Sequence, residues 1–429
     1  MGFEVKSIGE VCSVGDGAHS KVTRVETGIP YLTSKNIGQG FLKLDKLDYI
    51  SEESFEKLFS KDSKATRRPQ AGDVLFGIIG SFGNTYLYKE SDFFGFSSSI
   101  GILRPNPELL DSEYLYYVVS SKKFRDNHAN HNSGSVQGYT NIPTVKGLPL
   151  PVPSIAVQKK IAKVLQSLDR KIAVNQQTNQ TLEAMAQAIF KSWFVDFDPV
   201  KAKMRGEQPE GMDEATASLF PEKLVESELG LIPDGWAVGT LSDVAKYCSA
   251  RTSIDGVTVE NYISTENMLA DKKGVTAASK LPTAKTIAAY KTGDILVSNI
   301  RPYFKKIWLA EGNGGRSNDV LGFESSAPNT DSFLMNLLYQ DSFFEYMTRT
   351  SKGAKMPRGD KTAIMNWEMA VPPVELREAF STIVDKFYKL IPQNRAQNET
   401  LESLRDTLLP KLLSGEIELG QTQELIEVE

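Results

Sequence analysis

Apolar residues change their spacing along this chain, and the changes divide it. Through residues 3–150 the apolar runs are short and broken by glycines, as in Gly28-Ile29-Pro30-Tyr31-Leu32 and Asp73-Val74-Leu75-Phe76. Runs of that kind predict strands joined by turns. A helical stretch follows at 112–123, where Tyr114, Leu115, Tyr117, Val118 and Val119 form one apolar face. Pro149, Pro151 and Pro153 then close the segment, because proline cannot continue a strand ladder and suits the start of a helix. From there the period lengthens. Val157, Ile161, Val164, Leu168, Ile172, Asn175, Asn179, Leu182, Ala186, Ile189 and Trp193 recur every three or four residues. That is close to a heptad seam and predicts a helix of roughly 40 residues, about 60 Å long.

The same succession then repeats. Asn175, Asn179, Thr181, Leu182 and Glu183 return as Asn394, Asn398, Thr400, Leu401 and Glu402, an offset of 219 residues that also relates Leu115 to Leu334 and Pro153 to Pro372. The second seam runs Leu376, Phe380, Ile383, Phe387, Ile391, Asn394, Asn398, Leu401, Arg405, Leu408 and Leu412. Pro392 inside it predicts a bend or a local break. Chain connectivity favours antiparallel pairing of the two helices, which brings Asn175, Asn179, Asn394 and Asn398 near the middle of the coil. Buried seam asparagines cost stability but fix register; the plain alternative is that they line a solvated edge.

The resulting expectation is an α+β protein with two tandem α+β domains, each followed by a long helix. The helices pair as an antiparallel coiled coil with pseudo-two-fold symmetry. The segments are domain one (1–152), helix one (153–194), an acidic connector (195–235), domain two (236–371), helix two (372–415) and a tail (416–429). Phe190, Trp193 and Phe194 cluster just before the connector. They either anchor the helix end to the next domain or form a patch for partner docking.

At 429 residues the chain is too long for one core. It lacks an 18-residue apolar stretch and a signal-peptide core, so a cytoplasmic protein without membrane contact is expected. Cys12 and Cys248 supply neither metal spacing nor a disulfide framework. The net charge of −5 is uneven: residues 1–150 balance, 151–194 carry +4, 195–235 carry −6, 236–370 carry +2 and 371–429 carry −5. Affinity for nucleic acid rests on neutralising phosphates, so a chain with this balance binds DNA weakly unless a partner adds positive surface.

Catalytic signatures are missing. The sequence has no Asn/Asp-Pro-Pro-aromatic motif of an amino-methyltransferase and no GxxxxGK[ST] phosphate loop. Gly77 to Gly83 is glycine-rich but lacks the following Lys-Ser/Thr, so it reads as a β-turn. His128 and His131 stand three apart without further ligands, which is too few for a metal site.

Several motifs, in order, resemble the specificity subunit of type I restriction–modification enzymes. They begin with Gly15-Asp16-Gly17-Ala18-His19 and Gly72-Asp73-Val74-Leu75, the latter mirrored by Gly293-Asp294-Ile295-Leu296. Next come Ser133-Gly134-Ser135-Val136-Gln137, Gln158-Lys159-Lys160-Ile161, and Ser192-Trp193-Phe194-Val195-Asp196-Phe197-Asp198-Pro199. Glu228-Leu229-Gly230-Leu231-Ile232-Pro233-Asp234-Gly235-Trp236 opens the second half in the same way. The resemblance implies two target-recognition domains that each read one half of a split, asymmetric sequence in double-stranded DNA. It implies a coiled coil that sets the spacer and docks two methyltransferase subunits, with restriction subunits as an optional addition. S-adenosylmethionine would belong to the methyltransferase subunits, and ATP and Mg to the restriction subunits. This chain would hold no cofactor and no metal, and would be the non-catalytic part of an adenine-N6-methylating complex. The other reading of the bare pattern is a non-catalytic coiled-coil scaffold whose globular domains bind proteins.

Reading bases takes long polar side chains on loops that enter the major groove. In domain one the candidates are Ser133, Ser135, Gln137 and Tyr139, together with Lys35, Asn36 and Gln39. In domain two they are Lys352, Lys355 and Arg358, three cations in seven residues, with Arg301 and Tyr303 after the strand near residue 295.

Overall fold

The computed structural model describes residues 3–80, 83–131 and 139–417. The chain forms two compact units, one of residues 1–174 with 397–429 and one of residues 175–396.

In unit 1 the strands are β1 (Val5–Ser7), β2 (Cys12–Asp16), β3 (Ile29–Leu32), β4 (Asp48–Ile50), β5 (Val74–Gly77), β6 (Thr85–Leu87), β7 (Gly95–Phe96), β8 (Ile100–Pro105) and β9 (Pro149–Pro151). The helices are α1 (Ile8–Val11), α2 (Glu52–Leu58), α3 (Ser112–Ser120), α4 (Lys122–Asn130), α5 (Ile142–Gly147) and α6 (Ile155–Phe194), the last of which ends in unit 2. The main sheet has the order β2-β8-β5-β6; a smaller one has β4-β3-β7, with β3 and β7 parallel. Gly77 ends β5, and β6 is its antiparallel neighbour.

Unit 2 opens with α7 (Asp198–Met204), α8 (Glu214–Ser218) and the hairpin β10 (Leu224–Ser227) and β11 (Gly230–Pro233). The acidic connector is therefore folded structure. Next come β12 (Ala237–Thr240), β13 (Ala245–Tyr247), β14 (Arg251–Ser253), β15 (Tyr262–Ile263), β16 (Thr286–Tyr290), β17 (Ile295–Ser298), β18 (Ile307–Leu309), β19 (Gly314–Arg316), β20 (Val320–Ser325) and β21 (Glu368–Val371). The helices are α9 (Asp331–Leu338), α10 (Asp341–Arg349), α11 (Lys361–Met365) and α12 (Val374–Ser414), which ends in unit 1. The main sheet, β13-β20-β17-β18, repeats the order of its counterpart in unit 1, and β15 with β19 repeats the parallel pair. The sequence repeat is therefore a repeat of topology.

Each unit packs its domain on a helix pair. In unit 1, Ile161, Leu165, Leu168 and Ile172 of α6 share one core with Leu401, Leu408 and Leu412 of α12 and with Tyr114 and Leu115 of α3. Arg405 pairs with Asp169 at 2.9 Å, and Asn398 donates to the Ile172 carbonyl at 3.4 Å, so residue numbers fall along one helix as they rise along the other. In unit 2, Asn394 donates to Asn179 at 2.8 Å and Phe190 meets Phe380 at 5.7 Å, again antiparallel. Asn175 is also buried.

Two expectations are corrected. Helix α12 runs unbroken through Pro392. Proline removes one main-chain donor, and the apolar contacts on both sides, from Phe380 and Val384 to Leu401 and Leu408, hold the helix across that gap. Phe190 and Trp193 do not form a docking patch. They are only 1% and 6% exposed, inside a cluster with Phe220, Phe333 and Phe380 that Phe194 also joins. The aromatic cluster anchors the end of α6 in the core of unit 2.

Candidate nucleic-acid interface

In unit 2 the two stretches of interest in domain two are joined through their main chains. Beyond β17, Ile300 bridges Arg358, the Arg301 N–H donates to the Pro357 carbonyl at 2.8 Å, and Gly359 donates to Asn299 at 3.2 Å. Lys352 and Arg358 exchange both main-chain hydrogen bonds at 2.9 Å, which closes the loop between them. Arg301 and Lys305 flank a tight turn at 302–304, and both adopt left-handed backbone angles, φ 51° and 50°. Such angles cost a non-glycine residue of order 1 kcal/mol or more. Here the turn is over-determined, because Asp271 donates to Phe304 and Lys272 to Lys305, each at 2.9 Å.

The turn carries an exposed aromatic pair, Tyr303 (48% exposed) and Phe304 (37%), with ring centres 4.8 Å apart. On the facing loop, Lys352 pairs with Asp360 at 2.5 Å and Arg358 with Asp319 at 3.2 Å. The Lys352 ammonium is held charged, its pKa raised by the hydrogen bond to Asp360. Lys355 is exposed and in no ion pair among the described residues. A phosphate reaching this loop would meet Lys355 directly, and would have to exchange with a carboxylate at Lys352 and Arg358.

Unit 1 has the equivalent junction with different side chains. Ile79 bridges Tyr139, and Thr140 donates to the Ile78 carbonyl at 3.0 Å. Tyr139 stands 219 residues before Arg358, so one position of the repeat bears a half-exposed phenol in one unit and a guanidinium in the other. Ser133, Ser135 and Gln137 lie outside the described residues.

The turn at Lys35, Asn36 and Gln39 divides by role. Asn36 is committed to the main chain: its Oδ1 accepts from the Thr33 N–H at 3.0 Å, and its Nδ2 donates to the carbonyls of Lys43 and Lys46 at 3.1 Å. Asn267 does the same in unit 2, accepting from Ser264 at 2.7 Å and donating to Tyr262 and Thr276 at 3.0 and 2.7 Å. The asparagine thus builds the loop. Gln39 is exposed and donates to the Ser120 carbonyl at 3.3 Å. Lys35 is exposed on a groove that Lys43 and Lys46 also line. Sequence reasoning passed over those two lysines, and over Phe304 beside Tyr303. The cluster Lys43-Leu44-Asp45-Lys46, three residues after Gly40, was the signal available.

His128 is only 1% exposed and packs edge-on against Phe76 at 5.7 Å. Among the described residues no group of three or more His, Cys, Asp or Glu is arranged to hold a metal ion, and no helix is long and apolar enough to cross a membrane.

Known proteins agree with this architecture. The family described as "Type I restriction modification DNA specificity domain" matches residues 1–184. The HindI specificity subunit of Haemophilus influenzae is 27% identical over 414 residues, covering 82% of this chain and 88% of that protein. The MjaIX specificity subunit of Methanocaldococcus jannaschii is 28% identical over 450 residues, covering 97% and 93%. The crystal structure of a type I restriction–modification S subunit from M. genitalium shares the fold, with a TM-score of 0.53 at 15% identity over 96% of each chain. Residues 1–184 thus match the specificity-domain family, and the chain is similar to specificity subunits along nearly its whole length.

Proposed function

We propose that this chain is the DNA sequence-specificity subunit of a type I restriction–modification complex and is itself non-catalytic. Each unit reads one half of a bipartite, asymmetric target, and the antiparallel helices set the spacer between the halves. Two methyltransferase subunits dock on the chain, carry S-adenosylmethionine and methylate adenine at N6; restriction subunits with ATP and Mg complete those complexes that cleave.

One observation carries the reading. The same main-chain junction recurs in both units, at Ile79–Tyr139 and at Ile300–Arg358, and its side chains differ. A conserved frame with altered side chains suits two readers of different sequences, since main-chain geometry positions a loop and side chains select bases. In unit 2 the DNA-facing residues would be Arg301, Tyr303, Lys352, Lys355 and Arg358. In unit 1 they would be Lys35, Gln39 and Tyr139, with Ser133, Ser135 and Gln137 on the adjoining stretch and Asn36 shaping its turn. Asn175, Asn179, Asn394 and Asn398 would hold the register of the coil.

Exchanging residues 1–152 for those of a relative tests this. The methylated motif should change in one half and keep the other half and the spacer. A change in both halves contradicts independent readers.

A further inference from the structure

Helix α6 carries its cations on one side. Within unit 1, Lys159, Lys160, Lys163, Arg170 and Lys171 are all exposed, and none enters an ion pair among the described residues. The single acid in this half of the helix, Asp169, is taken up by Tyr117 and Arg405. At 3.6 residues per turn the five cations fall within an arc of about 120°. Ala156, Ser167 and Val174, also exposed, run along the middle of that arc. Lys159, Lys163 and Arg170 lie on one flank, Lys160 and Lys171 on the other. The opposite side of the helix is buried against α12 through Ile161, Leu165, Leu168 and Ile172. The basic arc therefore has no covering from its own unit.

The repeat keeps the helix and drops the charge. At the offset of 219, the five cations become Glu378, Ala379, Thr382, Lys389 and Leu390. A net charge of +5 in the first copy is 0 in the second, although both copies sit on equivalent helices.

The pattern selects among occupants. A line of uncharged side chains, the short Ala156 and Ser167 with the apolar Val174, flanked by long charged stems is a surface for another helix, which packs on the uncharged line while the stems reach around it. Phosphates of duplex DNA would need the cations but not that uncharged line. An acidic partner complements the unneutralised arc and is steered to it. We propose that the basic arc of α6 docks an acidic helical face of one methyltransferase subunit, while the equivalent arc of α12 holds the second subunit without that attraction. The proposal rests on the reading above that two such subunits bind this chain. It makes their binding unequal: one site depends on salt and the other does not.

The test is native mass spectrometry of the full chain co-expressed with the methyltransferase subunit of its own system. Salt is varied from about 0.1 M to about 1 M, which shortens screening from about 10 Å to about 3 Å. Two bound copies at low salt and one at high salt are expected. The variant Lys159→Glu, Lys163→Glu, Arg170→Glu should hold one copy throughout. Lys61→Glu with Lys64→Glu, exposed between α2 and β5 and on neither arc, should behave as the unaltered chain does. Since the altered side chains are exposed, a milder variant (Lys159→Gln, Lys163→Gln, Arg170→Gln) adds a graded reading and should lose its second copy at lower salt. Two copies retained by the glutamate variant with unaltered salt dependence overturn the proposal. So does a variant complex that keeps two copies but binds DNA more weakly with a shallower salt slope, which assigns the arc to phosphates. An unaltered chain that captures no methyltransferase subunit at any salt contradicts the functional reading itself.

Discussion

The Tyr117 hydroxyl donates to the Asp169 carboxylate across 2.7 Å, and 219 residues further on the same two positions, Asn336 and Tyr388, are joined at 3.0 Å. Both bonds tie a domain helix, α3 or α9, to the long helix that follows it. In the first copy Asp169 also receives Arg405 at 2.9 Å, so one carboxylate fastens α3, α6 and α12 together. The seam position that broke the apolar pattern is thereby explained: Arg405 is paired by the helix it faces.

Asp169→Ala should therefore cost more than the loss of one hydrogen bond. It leaves a buried phenol without its acceptor and a half-buried guanidinium with only Asp406, at 3.2 Å, and a cost of about 2–4 kcal/mol is expected. Tyr117→Phe should cost about 1 kcal/mol. Denaturant unfolding of the single and double variants checks this, and sub-additive costs are expected because both changes break one network.

Arg377 marks the opposite case. It is 8% exposed, and its Nε and Nη1 are buried without hydrogen-bond partners. Burial holds its pKa below the usual arginine value. The equivalent residue in the first copy, Gln158, is fully buried and satisfies three main-chain groups: the Asp111 N–H at 2.8 Å, the Leu109 carbonyl at 2.9 Å and the Pro153 carbonyl at 2.8 Å. Arg377→Gln should stabilise unit 2 by about 1–3 kcal/mol. A lower melting temperature for this variant would show that the guanidinium is needed where it lies.

His128 predicts an acid-sensitive unit 1. Burial, and secondarily the nearby His131, lowers its pKa from 6.5 to about 4. The unfolded chain takes up this proton near its ordinary value, while the folded chain resists until about pH 4. The contribution is complete above pH 6.5 and is lost as pH falls towards 4, by up to about 3 kcal/mol. His128→Gln should flatten that part of the stability profile, as measured by urea unfolding between those pH values.

The cationic loop of unit 2 makes a prediction about salt. Replacing Lys352, Lys355 and Arg358 by Ala should weaken DNA binding by the assembled complex, and each lost phosphate contact should lower the salt slope by about 1. Lys355→Ala alone should account for much of the loss, because Lys352 and Arg358 must first leave Asp360 and Asp319. Equal affinity at every salt concentration would remove the loop from the interface.

The repeat, the two long helices and their direction were legible because heptad spacing and a constant offset of 219 are properties of the sequence itself. What hid was the use made of polar and aromatic side chains. Asn36 has the chemistry to read adenine, and the same amide serves equally to tie Thr33, Lys43 and Lys46 into a turn; only the geometry decides. Phe190 and Trp193 could have faced either way, and the partners that bury them, Phe333 and Phe380, lie more than a hundred residues on. Pro392 predicted a bend or a local break, and the break is what local propensity favours and tertiary packing overrides.

The most direct test of the central claim is a genome-wide map of methylated adenines in cells that carry the partner methyltransferase, with and without this gene. Loss of one split, asymmetric motif when the gene is removed is the predicted result, and it would reveal both half-sites and the spacer together. A map that is identical in the two strains would contradict the account.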